Sequence, residues 1–214
     1  MSLSSQIDTL KTAMATQVPP EALAAMSDAA RELAASGVAA KALKVGAEAP
    51  GFALPDAHGR TVCLEDLLKA GPVVLVFYRG LWCPFCNLTL AALQQALPQI
   101  GETGATLVAV SPQTPSATEH TSQTLQIAFP MLSDAGNETA RAYGLVFTLA
   151  AEMRPIYEAL GVDLRVVNGD ASYELPLAAT YVIGRDHKVA YAFVDSDYTH
   201  RMEPADITRV LQSL

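Results

Sequence analysis

The stretch VVLVFY, Val73 to Tyr78, runs through β-branched and aromatic residues with no polar alternation, and ATLVAVS, Ala105 to Ser111, repeats that texture. A strand with one face in water alternates apolar and polar side chains; an unbroken apolar run is a strand covered on both faces. Between the two lies a helical pattern at Leu90, Leu93 and Leu97, expected to stop at Pro98. Strand, helix and strand at this spacing make a parallel unit with a right-handed crossover, because parallel neighbours cannot be joined by a tight turn. The chain is therefore of the α/β class, a central sheet with helices on both sides.

The flanking sequence fits that frame. Ile7, Leu10 and Met14 recur at helical spacing after Ser4 and Ser5, which can cap, and Pro19-Pro20 ends the pattern. A second helix opens on Pro20, carries Glu21 in its first turn, aligns Leu23, Met26, Ala30 and Leu33, and meets Gly37. These residues, 1–44, read as an N-terminal helical extension that packs on its own domain or on a second copy; residues 45–214 read as the main domain. After Ser111 come a Thr-rich helix over Thr114 to Leu125, a strand over Phe129 to Leu132 and a helix near Glu138 to Tyr143. A helix over Leu149 to Leu160 is expected to kink at Pro155, and GVDLRVVNGDASYELP reads as a loop region. TYVIG and VAYAFVD flank an Arg-Asp-His-Lys turn as a hairpin, and Pro204 opens a last helix through Ile207, Val210 and Leu211.

Composition narrows the chemistry. With 22 acidic and 14 basic side chains the net charge is −8, which repels phosphate backbones and anionic lipid alike, so neither nucleic acid nor a membrane is the expected partner. Three cysteines are too few for a disulfide scaffold and leave one unpaired, and no basic-then-apolar leader precedes the first helix. A reducing compartment, the cytoplasm, is the expectation.

Two of those cysteines stand in GLWCPFCN, Gly80 to Asn87, beside the single tryptophan, Trp82. A strand, a short loop and then Cys83-Pro84-Phe85-Cys86 opening a helix puts both sulfurs in a first turn, where unpaired N–H groups and the positive end of the dipole favour a thiolate. A structural zinc site would need about four ligands, and His58, His120, His187 and His200 are scattered without a second Cys pair, so no metal and no other cofactor is expected. A disulfide across two residues closes almost no loop and would stabilise little, which leaves a reactive pair. Cys63, in RTVCLED, reads as a small apolar strand residue. Ser111 lacks a Gly-x-Ser-x-Gly elbow, Asp195, Asp197 and Glu203 read as solvated turn carboxylates, and no Gly-rich phosphate loop is present.

VVLVFYRGLWCPFCNLTLAALQ, with VGAEAPGFALPDAHGRTVCLEDL before it and ATYVIGRDHKVAYAFVD after it, resembles the peroxiredoxins of the alkyl hydroperoxide reductase and thiol-specific antioxidant type. The resemblance spans Val45 to Val194 and implies a thioredoxin-like fold with a central mixed sheet. The family's Pro-x-x-x-Thr-x-x-Cys motif falls on Arg79, Cys83 and Cys86, so that Cys86 would attack the peroxide while the proline and threonine are replaced. Laid instead on a thioredoxin Trp-Cys-x-x-Cys motif, Trp82 to Cys86 would make Cys83 the attacking thiol. Two further family features are missing: the cis-proline of thioredoxins, where Ala178 and Ala179 precede Thr180, and the late arginine of peroxiredoxins, where Leu177 and Ala178 stand. Arg79 or Arg201 would have to neutralise the thiolate in its place.

The resemblance implies a thiol-dependent peroxidase acting on hydrogen peroxide or small organic hydroperoxides, with Cys83 and Cys86 closing a disulfide that a thioredoxin or glutaredoxin reopens, and a homodimer. Two rivals stand beside it. One is a thiol-disulfide oxidoreductase acting on proteins through Cys83; the other is a redox-sensing interaction protein that does not turn over.

Overall fold

The computed structural model describes residues 1–214. Two helices open the chain, α1 (Leu3–Gln17) and α2 (Pro20–Ala35). The cap of α1 is Ser2, whose side chain accepts from the Ser5 amide, rather than the expected Ser4 or Ser5. A second acceptor comes from far along the chain: the Glu203 carboxylate takes the Leu3 and Ser4 amides at 3.0 and 2.7 Å. One side chain thus answers two of the N–H groups that any helix start leaves unpaired, at the end where the dipole favours an anion. α2 starts with Pro20 at its first position and ends before Gly37, which takes the left-handed conformation at φ 71°.

A hairpin of β1 (Ala53–Pro55) and β2 (Thr61–Cys63) leads into α3 (Leu64–Ala70). Then come β3 (Val73–Phe77), α4 (Pro84–Glu102), β4 (Thr106–Ser111), α5 (Pro115–Leu125), β5 (Met131–Ser133) and α6 (Glu138–Ala142). They are followed by β6 (Val146–Thr148), α7 (Met153–Ala159), α8 (Leu164–Asn168), β7 (Glu174–Pro176), β8 (Ala179–Ile183), β9 (Val189–Val194) and α9 (Pro204–Gln212). The central sheet has the order β5-β4-β3-β8-β9; β3, β4 and β5 are parallel, and β8 and β9 run antiparallel to their neighbours.

Strand β3 is the middle of that sheet, and its side chains feed two cores. Val74 and Val76 pack with Leu90, Leu93 and Ile100 of α4 and Ile207 and Leu211 of α9. Val73, Leu75 and Phe77 pack with Leu64 and Leu68 of α3 and with Tyr143 on the other face. Both parities of the strand are buried, which is why the run carries no polar residue. Each such side chain contributes about 1.5–3 kcal/mol of transfer free energy. Leu3 and Ile7 of α1 belong to the α4 core, so the apolar side of the first helix packs within its own chain.

Three expectations need correction. α4 does not stop at Pro98 but continues to Glu102; the proline ring faces solvent, where a missing backbone bond costs least, and Ile100 beyond it is fully buried. The helix expected over Leu149 to Leu160 is shorter, and Pro155 is its third residue, where its absent N–H has no partner to lose, so no kink is imposed. The stretch read as a loop holds α8, capped by Asp163 onto the Arg165 amide, and β7, which pairs antiparallel with β6.

Gly144 ties the extension to the main domain. Its φ is +70°, and a Cβ there would overlap the carbonyl group of Lys41, 2.9 Å from the carbonyl carbon. Gly136 has a similar φ of +86° with open space around it. Gly144→Ala is expected to lower the free energy of unfolding by about 3 kcal/mol or more, from clash added to backbone strain. Gly136→Ala is expected to lower it by about 1 kcal/mol, from strain alone. Denaturant midpoints of the two variants compare them directly, and equal losses would contradict the packing described for the Lys41 segment.

Candidate active site

After Phe77 the chain leaves the sheet in a tight loop, and three local devices fix it. Gly80 has φ +146°, and a side chain there would strike the Trp82 indole nitrogen at 2.5 Å. The Cys83 amide donates to the Gly80 carbonyl at 3.1 Å, and the Asn87 side-chain amide donates to the Leu81 carbonyl at 2.7 Å. Cys83 is the cap residue of α4, with extended φ −93° and ψ 105°; Pro84 is the first helical residue and Cys86 the third. The helix start therefore presents both sulfurs at its positive end.

Both sulfurs are buried: Cys83 is 0 % and Cys86 1 % exposed. Each has its own arginine. Arg79 donates through Nη2 to the Cys83 sulfur at 3.1 Å, and Arg201 points Nη2 at the Cys86 sulfur at 3.7 Å. Arg79 is only 5 % exposed and lies over two aromatic rings, Tyr198 at 4.3 Å and Trp82 at 5.1 Å from their centroids. Trp82 in turn packs on Tyr157 of α7, with centroids 5.3 Å apart. Arg201 is braced by its Nη1 bond to the His200 carbonyl at 2.7 Å. The His200 ring sits between Asp195 at 2.8 Å and Asp197 at 3.4 Å, which fixes the turn that follows β9.

The electrostatics of the pair are unequal. The Cys83 thiol, hydrogen-bonded to the Cys86 sulfur, holds Cys86 well below the ordinary thiol range; Arg201 and Arg79 pull in the same direction, and burial opposes them. Cys83 is pushed up, first by burial and then by its bond to Cys86, with Arg79 and Arg201 opposing. Of the two sulfurs, Cys86 is therefore the one whose anion the surroundings favour. Burial works against the charge of Arg79, but the two sulfurs outweigh it and keep the guanidinium protonated.

The five residues singled out in the sequence, Arg79, Trp82, Cys83, Cys86 and Arg201, lie together around this helix start. Arg201 comes from the segment that follows β9, the strand at the edge of the sheet, and lines a small cavity of about 10 Å³ with Cys86, Thr180 and Phe193. Leu177 and Ala178, at the positions of the missing family arginine, are buried, and no peptide bond is cis. Cys63 ends β2 and occupies the N-cap position of α3, where its side chain makes no capping bond. Of the three acidic residues noted, Asp195 and Asp197 hold His200 while Glu203 caps α1, so they do not form one cluster. Tyr157 and Tyr198 were missed. Their only sequence signal is an aromatic residue in a weakly patterned region, and it is the fold that brings them to Arg79.

Comparison with known proteins identifies the family. The AhpC/TSA family matches residues 45–192. A chloroplastic peroxiredoxin Q of Triticum aestivum is 26 % identical over 78 % of each chain. The thiol-disulfide oxidoreductase ResA of Bacillus cereus is 27 % identical over 49 % of this chain and 60 % of that protein. Among solved structures, peroxidoxin BcpB of Mycobacterium tuberculosis superposes with a TM-score of 0.62 at 24 % identity, covering 80 % of this chain and 98 % of that one, which speaks for the fold. The chain belongs to the AhpC/TSA family, as a peroxiredoxin-like oxidoreductase on the thioredoxin fold.

Proposed function

We propose that the protein is a thiol-dependent peroxidase in which Cys86 attacks and Cys83 resolves. The observation that carries this reading is the buried sulfur pair with an arginine on each member, Arg79 at 3.1 Å from Cys83 and Arg201 at 3.7 Å from Cys86. The Cys86 thiolate attacks the terminal oxygen of the hydroperoxide, the O–O bond breaks, and the alkoxide leaves and takes up a proton. R–O–OH, the thiolate and one proton become R–OH and a cysteine sulfenic acid; the sulfur loses two electrons and the peroxide gains them. Arginines beside the reacting sulfur stabilise negative charge moving onto peroxide oxygen. The Cys83 thiol then condenses with the sulfenic acid, releasing water and closing a Cys83–Cys86 disulfide. An external dithiol, a thioredoxin or glutaredoxin in a reducing compartment, reopens it by two exchange steps.

A second reading takes Cys83 as a nucleophile toward protein disulfides, and the short Arg79 contact to Cys83 together with the ResA likeness favours it. The electrostatics of the pair weigh against it: burial pushes the Cys83 thiol up while Cys86 is held down, so the favoured nucleophile is Cys86 rather than Cys83.

After stoichiometric peroxide, Cys83→Ser is expected to trap a sulfenic acid on Cys86 at close to the parent rate, because a serine hydroxyl still donates to the thiolate. Cys86→Ser is expected to react about a thousandfold more slowly. Stopped-flow oxidation and mass spectrometry of the two variants read this, and a fast Cys86→Ser with an inert Cys83→Ser would overturn the assignment.

Thiolate absorbance at 240 nm gives the pH arm. Since Cys86 is held below the ordinary thiol range, its thiolate is present at neutral pH and is lost only as pH falls through that lowered value. Cys83→Ala and Arg201→Met each remove a group that favours the anion, so the transition moves to higher pH. Peroxide oxidation at neutral pH then drops by about tenfold. A transition that stays in place in both variants would contradict the role given to these neighbours.

A further inference from the structure

Strand β8 is buried along its whole length, and its side chains alternate between the two faces of the sheet. Tyr181 and Ile183 belong to the core on the α3 side, while Val182 packs on the α4 side. Thr180 shares the parity of Val182 and pairs with Val76 of β3 and Phe193 of β9, both of which also pack on the α4 side. A polar side chain, only 6 % exposed, is thus turned to the face that carries Cys86. There it lines the cavity of about 10 Å³ with Cys86 and Arg201, whose Nη2 is 3.7 Å from the Cys86 sulfur. Thr89, in the same lining, donates its hydroxyl to the Phe85 carbonyl at 2.9 Å, whereas the Thr180 hydroxyl makes no hydrogen bond within the chain. The Tyr78 hydroxyl lies toward Ser111 and Thr121. An unpaired hydroxyl in a buried strand costs free energy, so its presence calls for a partner that the resting protein does not supply.

The cavity has room for about one water-sized group, and beside a reacting sulfur that group is one oxygen of a peroxide. We propose that Thr180 is a catalytic residue of the peroxidase reaction, its hydroxyl donating a hydrogen bond to the leaving oxygen of the peroxide alongside Arg201. The inference rests on the peroxidase reading and adds to it a group that receives the charge. As the sulfur–oxygen bond forms and the O–O bond breaks, two electrons pass from sulfur to the peroxide. Negative charge gathers on the leaving oxygen, which then takes a proton from solvent. Thr180 keeps its own proton throughout, and what it contributes is a donor already in place where that charge appears. The groups that favour the Cys86 anion itself are Cys83, Arg201 and Arg79, so the part of Thr180 begins only once peroxide is bound.

The test pairs Thr180→Val, which keeps the branched shape and removes the hydroxyl, with Thr180→Ser, which keeps the hydroxyl. Three quantities are measured on the reduced proteins: the stopped-flow rate of oxidation by hydrogen peroxide, the thiolate transition at 240 nm and the denaturant midpoint. Thr180→Val is expected to be oxidised about tenfold more slowly or worse, with its thiolate transition in place. Its midpoint is expected to equal or exceed that of the parent, because the hydroxyl removed has no partner to lose. Thr180→Ser is expected to react within about threefold of the parent, which ties the loss to the hydroxyl. A Thr180→Val protein that reacts at the parent rate, equal losses in Thr180→Val and Thr180→Ser, a shifted thiolate transition that accounts for the loss, or a lowered midpoint in Thr180→Val would each overturn the role of Thr180. In the first of these the fast parent leaves the peroxidase reading standing. A parent protein oxidised no faster than a free thiol would overturn that reading itself, and the role of Thr180 with it.

Discussion

Arg79 is a cation buried to 5 % exposure that makes no salt bridge to any carboxylate. A charge so placed costs on the order of several kcal/mol unless an anion or a polarisable surface answers it. Here the answer is sulfur and aromatic ring: Cys83 at 3.1 Å, the Cys86 thiolate close by, and the faces of Tyr198 and Trp82. The site is therefore held together by its own sulfurs. In the proposed cycle, closing the disulfide removes the anion and leaves Arg79 and Arg201 facing neutral sulfur, so electrostatics favour the reduced pair and make the oxidised pair ready to accept electrons.

The second cation is positioned by a chain of contacts that reaches the N-terminus. Asp195 and Asp197 hold the His200 ring, the His200 carbonyl holds Arg201, and two residues on Glu203 caps α1. α1 buries Leu3 and Ile7 in the core that backs the cysteine helix, and α2 lines a cavity that contains Arg79. The helical extension thus reaches the site twice, once through the turn that carries Arg201 and once through the cavity it shares with Arg79.

Much of this was legible in the sequence where the physics is local. The two uninterrupted apolar runs require strands covered on both faces, and β3 feeds a core on each side. The strand-to-helix setting of Cys83 and Cys86 is a matter of neighbours in sequence, as is the nearby Arg79. α8 and β7, at five and three residues, are shorter than the periods by which helix and strand are read, and they form because β6 offers β7 an edge. Pro98 and Pro155 misled for the same reason: what a proline costs depends on whether its missing N–H had a partner and on which side faces solvent, and both are settled by tertiary structure. Tyr157 and Tyr198 had no signal of their own, since an aromatic residue declares a polar role only once a buried cation stands on its face.

The substitutions that set GLWCPFCN apart from the family motif make sense together. At position 83 a thiol stands where the family has threonine, and it keeps the ability to donate a hydrogen bond to the sulfur three residues on. Unlike a hydroxyl, in the proposed cycle it also forms the bond that ends the sulfenic acid, so that donor and resolving group are one atom. That economy has a requirement. A buried sulfur that is protonated for half of the cycle and oxidised for the other half needs a neighbour whose charge never changes, and guanidinium is the one side chain that stays protonated when buried. Proline in that place could supply neither charge nor donor; Arg79 supplies both, and the aromatic shelf of Trp82 and Tyr198 makes its burial tolerable.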